Sequence, residues 1–374
     1  MLKKDDQTNF QKSFQQNAFK NILVRYKSVL VLLLVCGFNY KVFRMSPKCK
    51  FILNIYCAIL IIITGISTLY CCEITSNTMV IWPLIEYILS ATILVFYDSK
   101  LTKFAFELSR IDSFLKTDLK YYSRGKIGVF LLILTLWLVR LSFMIIFCFL
   151  YSCFSNVIFF VLSVLSLLAL DVNRIWRFLL LEIVRYRFLL LRQKINEMIE
   201  NNPKISISEQ IHFKKNKIKL CNKLYKSVLD VIDIISPELS ASMFVSIICS
   251  LPKLISNVYH ILLVFENHEP IQSIGFVLIH MCHTCFLLFS PCVVVELQCL
   301  EVDRIRLILV NQLLIEDDPK LRDDLQLFIQ YTDVRKYQFK IWRCIPLNIS
   351  LPIEIANICV SSVIVVINFT HLYD

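Results

Sequence analysis

Seven apolar segments dominate the sequence, and each is long enough to cross a lipid bilayer. A helix needs about 20 mostly apolar residues for that crossing. Because lipid offers no hydrogen-bond partners to the backbone, we expect all seven to be helices. A soluble chain with 57% hydrophobic residues would expose large apolar patches, so the sequence predicts an all-α, seven-transmembrane helical membrane protein. The segments cover about 51–72, 78–97, 127–151, 154–176, 240–265, 271–295 and 350–370.

The basic residues lie almost entirely on one side of these segments. Of the 40 Lys and Arg residues, all but Arg140 and Lys253 lie in residues 1–50 or at the long connections after the second, fourth and sixth segments. Basic residues concentrate in cytosolic loops. We therefore predict a multi-pass plasma-membrane protein with a cytosolic N-terminus and an extracellular C-terminal tail.

Orientation and missing motifs exclude several classes of protein. A G-protein-coupled receptor has its N-terminus outside, and its usual Asp-Arg-Tyr and Asn-Pro-x-x-Tyr motifs are absent. The net charge of +11 comes from basic residues that lie on the predicted cytosolic side of the membrane. The positive-inside pattern therefore accounts for the charge, and we expect no nucleic-acid partner. No phosphate-binding loop, Gly-x-Ser-x-Gly or His-Glu-x-x-His motif occurs, so the sequence predicts no enzyme, no catalytic residue and no cofactor.

The connections on the basic side have helical patterns of their own. We expect helices at 174–200, 209–236 and 321–343, which would extend the membrane helices into the cytosol. Their polar faces could be simply solvated, or the helices could pack into a bundle that holds subunits together. A shorter apolar run at 29–38 indicates an interfacial or partly buried helix. Four basic residues are predicted to lie at the lipid headgroups: Arg174, Arg177, Arg185 and Arg192.

The seventh segment carries one narrow polar stripe. On a helix, Glu354, Asn357, Ser361 and Asn368 fall within about 60° of arc, and Ser362 lies off it. Polar side chains in a membrane helix avoid lipid. The stripe therefore faces either other helices of the same subunit or water in a pore.

The end of this segment resembles a known signature. Residues 361–369 resemble the C-terminal motif of insect gustatory receptors, which is Thr-Tyr, five mostly apolar residues and Gln-Phe. Ser361, Asn368 and Phe369 match its Thr, Gln and Phe, whereas Ser362 stands where the family has Tyr. The topology, the short tail and the chain length are also similar to that family.

The resemblance implies a tetrameric, ligand-gated, non-selective cation channel in which four copies of the seventh span line a pore. It implies a homotetramer, or a heteromer with other gustatory receptors, surrounded by membrane lipid. Three parts follow: a cytosolic N-terminal segment (1–50), six spans with the ligand pocket and cytosolic anchor helices (51–349), and the pore-lining span with its tail (350–374). Gate and pore positions are expected at Val365, Asn368, Phe369, Ile364, Ser361 and Glu354, with a Glu354 ring that favours cations.

The resemblance also implies a pocket for a small tastant among the outward halves of spans three to six. Our candidates are the polar and aromatic residues there, together with Glu86 of span two as a partner for Arg140. That pairing would be either structural or part of the pocket. The candidates are Trp137, Arg140, Asn257, Tyr259, His260, His280, His283, Thr284 and Glu86.

Two questions stay open at this level. His and Cys residues at 280–285 cannot complete a tetrahedral metal site from one helix, so we expect no metal there and assign them to pocket polarity or helix–helix hydrogen bonds.

Sugar-type receptors tend to carry Glu where this chain has Val363, which favours a bitter-type plant compound over a sugar. The alternatives are a multispan membrane enzyme or transporter, and a metabotropic seven-span receptor.

Overall fold

A computed structural model describes most of the chain, and the all-α prediction is confirmed for this part. The described residues are 27–40, 47–75, 78–96, 100–115, single positions between 128 and 146, 157–199, 207–265, 272–342 and 344–373. The helices are α1 (27–35), α2 (Pro47–Thr75), α3 (Thr78–Phe96), α4 (Leu101–Leu115), α5 (the described positions between 128 and 146), α6 (Val157–Ile199), α7 (Ile207–Phe265), α8 (Gln272–Ile315), α9 (Pro319–Val334) and α10 (Ser350–Tyr373).

The helix positions agree with the apolar segments of the sequence. Within the described residues, four helices are long and apolar enough to cross a membrane, and α3 contributes a shorter apolar stretch, Ile81–Leu94. The chain is therefore a multi-pass helical membrane protein. The four stretches are Lys48–Ile66, Phe213–Phe265, Val277–Ile315 and Ser350–Asn368.

Three helices run far beyond the thickness of a bilayer. α6 has 43 residues, α7 has 59 and α8 has 44. At 1.5 Å per residue these are about 65, 90 and 65 Å long, whereas the hydrocarbon core spans about 30 Å. The helical continuations predicted at 174–200 and 209–236 are thus confirmed.

These extensions pack into a bundle, as one of the two alternatives predicted. Phe188 of α6 and Tyr225 of α7 are fully buried, with ring centroids 6.2 Å apart. Phe328 of α9 lies 5.8 Å from the Tyr225 ring, and Tyr337 lies 5.6 Å from Phe188. Burial raises the pKa of Tyr337 well above its usual value, so the phenol stays neutral and donates to Gln298 of α8. That these extensions hold subunits together remains a prediction.

The predicted helix at 321–343 is wrong in its last part. α9 ends at Val334, and the chain then forms a small antiparallel hairpin of β1 (Lys340–Ile341) and β2 (Ile345–Pro346). Trp342, at the turn, has a positive φ of 47°, which no α-helix accommodates. Arg335 fixes the helix end because it binds Asp230 and Asp233 of α7, each at 2.6 Å.

A further helix, α4, lies in the connection that follows α3. Leu108 and Ile111 are buried against the bundle. Asp112 accepts two hydrogen bonds from Arg187 of α6, the shorter at 2.7 Å, and both side chains are nearly enclosed. α4 is therefore held by apolar packing, mainly against α7, and by a buried ion pair with α6.

The N-terminal helix α1 packs into the core. Leu33 and Phe38 have no solvent exposure. Between them the chain turns at Gly37, which has a φ of +87° and lies against Tyr87 of α3. The Tyr87 hydroxyl donates to the carbonyl of Cys36 at 3.0 Å, so this turn holds α1 against α3.

We predict that Gly37→Ala destabilises the protein by about 1–3 kcal/mol, because a side chain must adopt a positive φ there. A Cβ at this position would also lie 2.6 Å from the Tyr87 hydroxyl oxygen. The measurement is thermal unfolding of the purified protein in detergent. Gly65→Ala is the matched control, because nothing lies within 4 Å of a Cβ there. Equal unfolding temperatures for the two variants would contradict the role given to the turn.

Candidate pore helix and buried polar network

The polar stripe of α10 is exposed along its whole length. Glu354, Asn357, Ser361 and Asn368 all have exposed side chains. The Ser350 hydroxyl lies 3.4 Å from the Glu354 carboxylate and 2.7 Å from the Asn348 side chain. The described part of the subunit therefore leaves these stripe residues uncovered.

The buried face of α10 lies opposite the stripe. Leu351, Ile355, Cys359 and Val363 recur every fourth residue and are all buried. On a helical wheel their mean direction lies about 150° from the stripe. Among the described residues α10 packs on α7, and its polar side chains lie on the side turned away from that contact. The described part of the chain thus leaves the stripe uncovered, which favours the alternative of a stripe that faces water in a pore.

Apolar residues of the predicted gate flank the stripe. Ile364 and Val365 are about half exposed, at 52% and 50%. The side chain of Phe369 lies outside the described residues. The expected gate positions Ile364, Val365 and Asn368 thus share the outward-turned side of α10.

Glu86 of α3 lies at the centre of a buried polar network. Its carboxylate accepts hydrogen bonds from Arg174 of α6 at 2.7 and 2.8 Å and from Lys253 of α7 at 2.6 Å. The Ser246 hydroxyl of α7 donates to it at 2.7 Å, and Ser250 accepts from Arg174 at 3.1 Å. Three helices are therefore joined at one carboxylate.

The network gives Glu86 partners that the sequence analysis did not predict. Its side chain has no exposure, and both oxygens accept hydrogen bonds, so within the described residues it has a structural role; that it contacts a ligand stays a prediction. Its observed partners are Arg174 and Lys253. The expected partner, Arg140, lies outside the described residues.

The predicted position of the basic residues at the headgroups is wrong for Arg174 and Arg177. Both are more than nine-tenths buried within the protein. Arg177 donates to the carbonyl of Ser242 at 2.7 Å and to the Ser246 hydroxyl at 2.8 Å. A guanidinium that the bilayer cannot solvate is held by neighbouring helices instead. Further along α6, Arg192 lies 3.2 Å from Glu301 of α8.

The predicted pocket residues occupy different environments. Asn257 and Thr284 are buried, whereas Trp137, Tyr259, His260 and His280 are partly exposed. His283 is buried on α8, with its Nε2 3.9 Å from an oxygen of Asp171 on α6. Two buried donors, the indole Nε1 of Trp137 and the amide Nδ2 of Asn257, find no acceptor among the described residues. The structure links His283 to Asp171, a pairing that the sequence analysis did not predict.

The central residues that sequence reasoning missed are Arg174, Ser246 and Ser250. One signal could have found them. Glu86 is an acid in an apolar helix, and Lys253 is a base in another, so each needed a partner in the membrane. Ser246, Ser250 and Lys253 recur at spacings of four and three, which places them on one face of α7.

Comparison with solved structures places this helical arrangement among known folds. An olfactory receptor, OR5, from the insect Machilis hrabei matches 93% of this chain and 98% of its own, with a TM-score of 0.64 and 10% sequence identity. The same receptor in complex with eugenol matches 94% of this chain and 99% of its own, with a TM-score of 0.52 and 12% identity. The chain has the fold of an insect olfactory receptor.

No protein-family model matches the chain, and no curated protein matches it in sequence. The insect olfactory receptor fold is thus retained at 10–12% identity. The match spans nearly the whole of both chains.

We predict that Glu86→Gln destabilises the protein by about 3–5 kcal/mol, because Arg174 and Lys253 would both lose the buried carboxylate that they bind. Glu182→Gln is the matched control. It breaks a pair with Arg185 at 2.6 Å whose side chains are 20% and 33% exposed, so we expect a loss of only about 0–1 kcal/mol. Thermal unfolding in detergent measures both. Similar losses in the two variants would show that the network contributes no more than a surface pair.

Proposed function

We propose that this protein is a gustatory-type chemoreceptor of insects, acting as a ligand-gated, non-selective cation channel. The carrying observation is the polar stripe of α10, which points away from the subunit's own helices along an otherwise apolar membrane segment. The fold of an insect olfactory receptor supports the chemoreceptor assignment. The C-terminal match at Ser361, Asn368 and Phe369 supports the gustatory type.

A pore requires more than one copy of the chain. One α10 helix cannot enclose water, but four copies around a common axis would turn four polar stripes towards a shared lumen. Such an assembly would remove Glu354, Asn357 and Asn368 from lipid, where polar side chains are costly. We propose a homotetramer, or a heteromer with other gustatory receptors, in which residues 350–374 form the pore part, 51–349 the pocket and anchor part, and 1–50 the cytosolic N-terminal part.

The gate would lie towards the C-terminal end of α10. Val365 and Ile364 supply apolar side chains that close a narrow pore by excluding water. Asn368 and Phe369 lie about one turn further along, and Ser361 one turn before. Small rotations of α10 would exchange apolar for amide side chains in the lumen and so open the pore.

The ligand would be a small organic molecule, with a bitter-type plant compound favoured over a sugar. The olfactory receptor complex with eugenol supports a small-molecule site in this fold. In this chain the buried donors of Trp137 and Asn257 are suited to an oxygen acceptor of such a ligand. The remaining proposed contacts are Arg140, Tyr259, His260, His280, His283 and Thr284.

The proposal predicts inward currents when the protein is expressed alone or with other gustatory receptors in oocytes at the plasma membrane. Plant alkaloids, glycosides and sugars are applied in turn, and at least one should evoke a current within the solution-exchange time. An epitope tag at the N-terminus should stay inaccessible from outside. An external tag would contradict the topology, and currents that need a G protein would favour a metabotropic receptor.

We further predict that Glu354→Gln lowers the permeability of cations relative to anions, because it removes four carboxylates from the lumen. The measurement is the reversal potential of ligand-evoked current in dilute sodium chloride. Glu197→Gln is the control, since it removes an exposed carboxylate from α6, away from α10. An unchanged reversal potential in Glu354→Gln would place this carboxylate outside the ion pathway.

A further inference from the structure

The helix α4 buries one side and exposes the other. Its buried residues pack on α7 and α6. On the opposite side, Phe106, Arg110 and Phe114 recur every fourth residue, so they form one stripe along the helix. Phe106 and Phe114 are 42% and 41% exposed, and the side chain of Arg110 is 50% exposed. Lys103 lies about one turn before Phe106 and is partly exposed. We call these four residues the outer face of α4.

Positive charge predominates around the outer face. Lys100, just before α4, is exposed, and Lys103 and Arg110 follow on the helix. The acids of residues 100–115 are Glu107 and Asp112. Glu107 lies 3.8 Å from Arg110, whereas Asp112 is nearly enclosed in its ion pair with α6. The exposed charges on this side of α4 are therefore three bases against one acid.

The ion pair with α6 gives the depth of α4 in the membrane. Glu86 lies near the middle of the apolar stretch Ile81–Leu94, so its pair with Arg174 marks the middle of the bilayer. Asp112 binds Arg187, which lies about 20 Å further along α6 than Arg174 at 1.5 Å per residue. The hydrocarbon ends about 15 Å from the middle, and the headgroup layer ends at about 20–22 Å. α4 therefore lies at the level of the lipid headgroups.

We propose that the outer face of α4 binds anionic lipid headgroups of the adjoining leaflet, which is the cytosolic one in the predicted orientation. At this depth aromatic rings occupy the boundary between hydrocarbon and water, and basic side chains reach the lipid phosphates. Without lipid, Phe106 and Phe114 expose apolar surface to water. A neutral lipid would cover these rings but would not balance the three bases. The face should therefore prefer anionic lipids to neutral ones.

This surface differs from the headgroup contact that the sequence analysis predicted. Arg174 and Arg177 lie inside the bundle, whereas Lys103 and Arg110 are turned outward at headgroup depth. Only residues 97–100 separate α4 from the end of α3, and Asp112 binds α6 from the other side of α4. A bound lipid would therefore hold α4 beside two helices of the buried network. The contact needs no pore and no tastant, so its test is independent of the proposed function.

The test replaces Phe106 with the photoreactive residue p-benzoylphenylalanine, which forms a covalent bond with a neighbouring C–H group on irradiation. The full chain is placed in nanodiscs of phosphatidylcholine with about 30% phosphatidylserine, and adducts are identified by mass spectrometry. We expect lipid adducts in which phosphatidylserine is enriched at least about threefold over its share of the disc. The same probe at Phe213, at the cytosolic end of α7, should give no lipid adduct.

The preference for anionic lipid is tested by removing charge. Lys103→Gln combined with Arg110→Gln should reduce the phosphatidylserine adducts to about their share of the disc, because two of the attracting bases are gone. Lys219→Gln combined with Lys223→Gln is the matched control. It removes two exposed bases from α7, about 35–40 Å along the helix from Ser246, and should keep the full enrichment.

Raising the salt concentration from about 0.05 to 0.5 M should also abolish the enrichment in the chain with all its bases, so the test does not depend on the folding of a charge variant. Phe51 of α2, which is 67% exposed in a membrane segment, is the positive control for the probe. Adducts at Phe106 with a second copy of the chain would overturn the proposal, because the face would then be an interface between subunits. Lipid adducts at Phe51 but none at Phe106, or adducts without enrichment of phosphatidylserine, would refute it as well.

Discussion

The Glu86 carboxylate supports the arrangement of three helices because a membrane cannot solvate the cations around it. Arg174 on α6 and Lys253 on α7 both reach this acid on α3, and Ser246 completes its shell. Charged hydrogen bonds in a medium of low dielectric constant are strong when satisfied and very costly when broken. The relative positions of α3, α6 and α7 are therefore narrowly limited, and the other helices pack around that frame.

Much of the fold could be predicted from the sequence because the bilayer imposes a length rule on every crossing helix. The bounds of α2, α3 and α10 follow from it, and the wheel of α10 correctly singles out its polar face. The partner of Glu86 could not be predicted, since it depends on how helices from distant parts of the chain come together. Depth alone suggests Arg140, whereas among the described residues Arg174 and Lys253 are the bases that inter-helix geometry brings to the carboxylate.

Other local features escape helical periodicity altogether. The hairpin after α9 depends on a turn at Trp342 with positive φ, and the apolar pattern of the sequence does not predict this turn. The gate and pocket residues belong to a different category. Their roles depend on an assembly and a ligand, so the structure of one subunit gives only the direction in which their side chains point. For Ile364, Val365 and Asn368 that direction is outward, away from the bundle.

The long helix α7 contains two prolines, Pro237 and Pro252, which divide it into three sections. The network contacts on Ser242, Ser246 and Ser250 all lie between them, so the middle section is clamped while proline leaves each flank easier to bend. Because α7 is about 90 Å long and held at its middle section, a small tilt of an outer section moves its end noticeably. A tilt of about 5° over the outer third of the helix displaces its end by roughly 2–3 Å. Movements at one end of α7 would therefore reach its other end through this clamped section, where the contacts with α3 and α6 resist them.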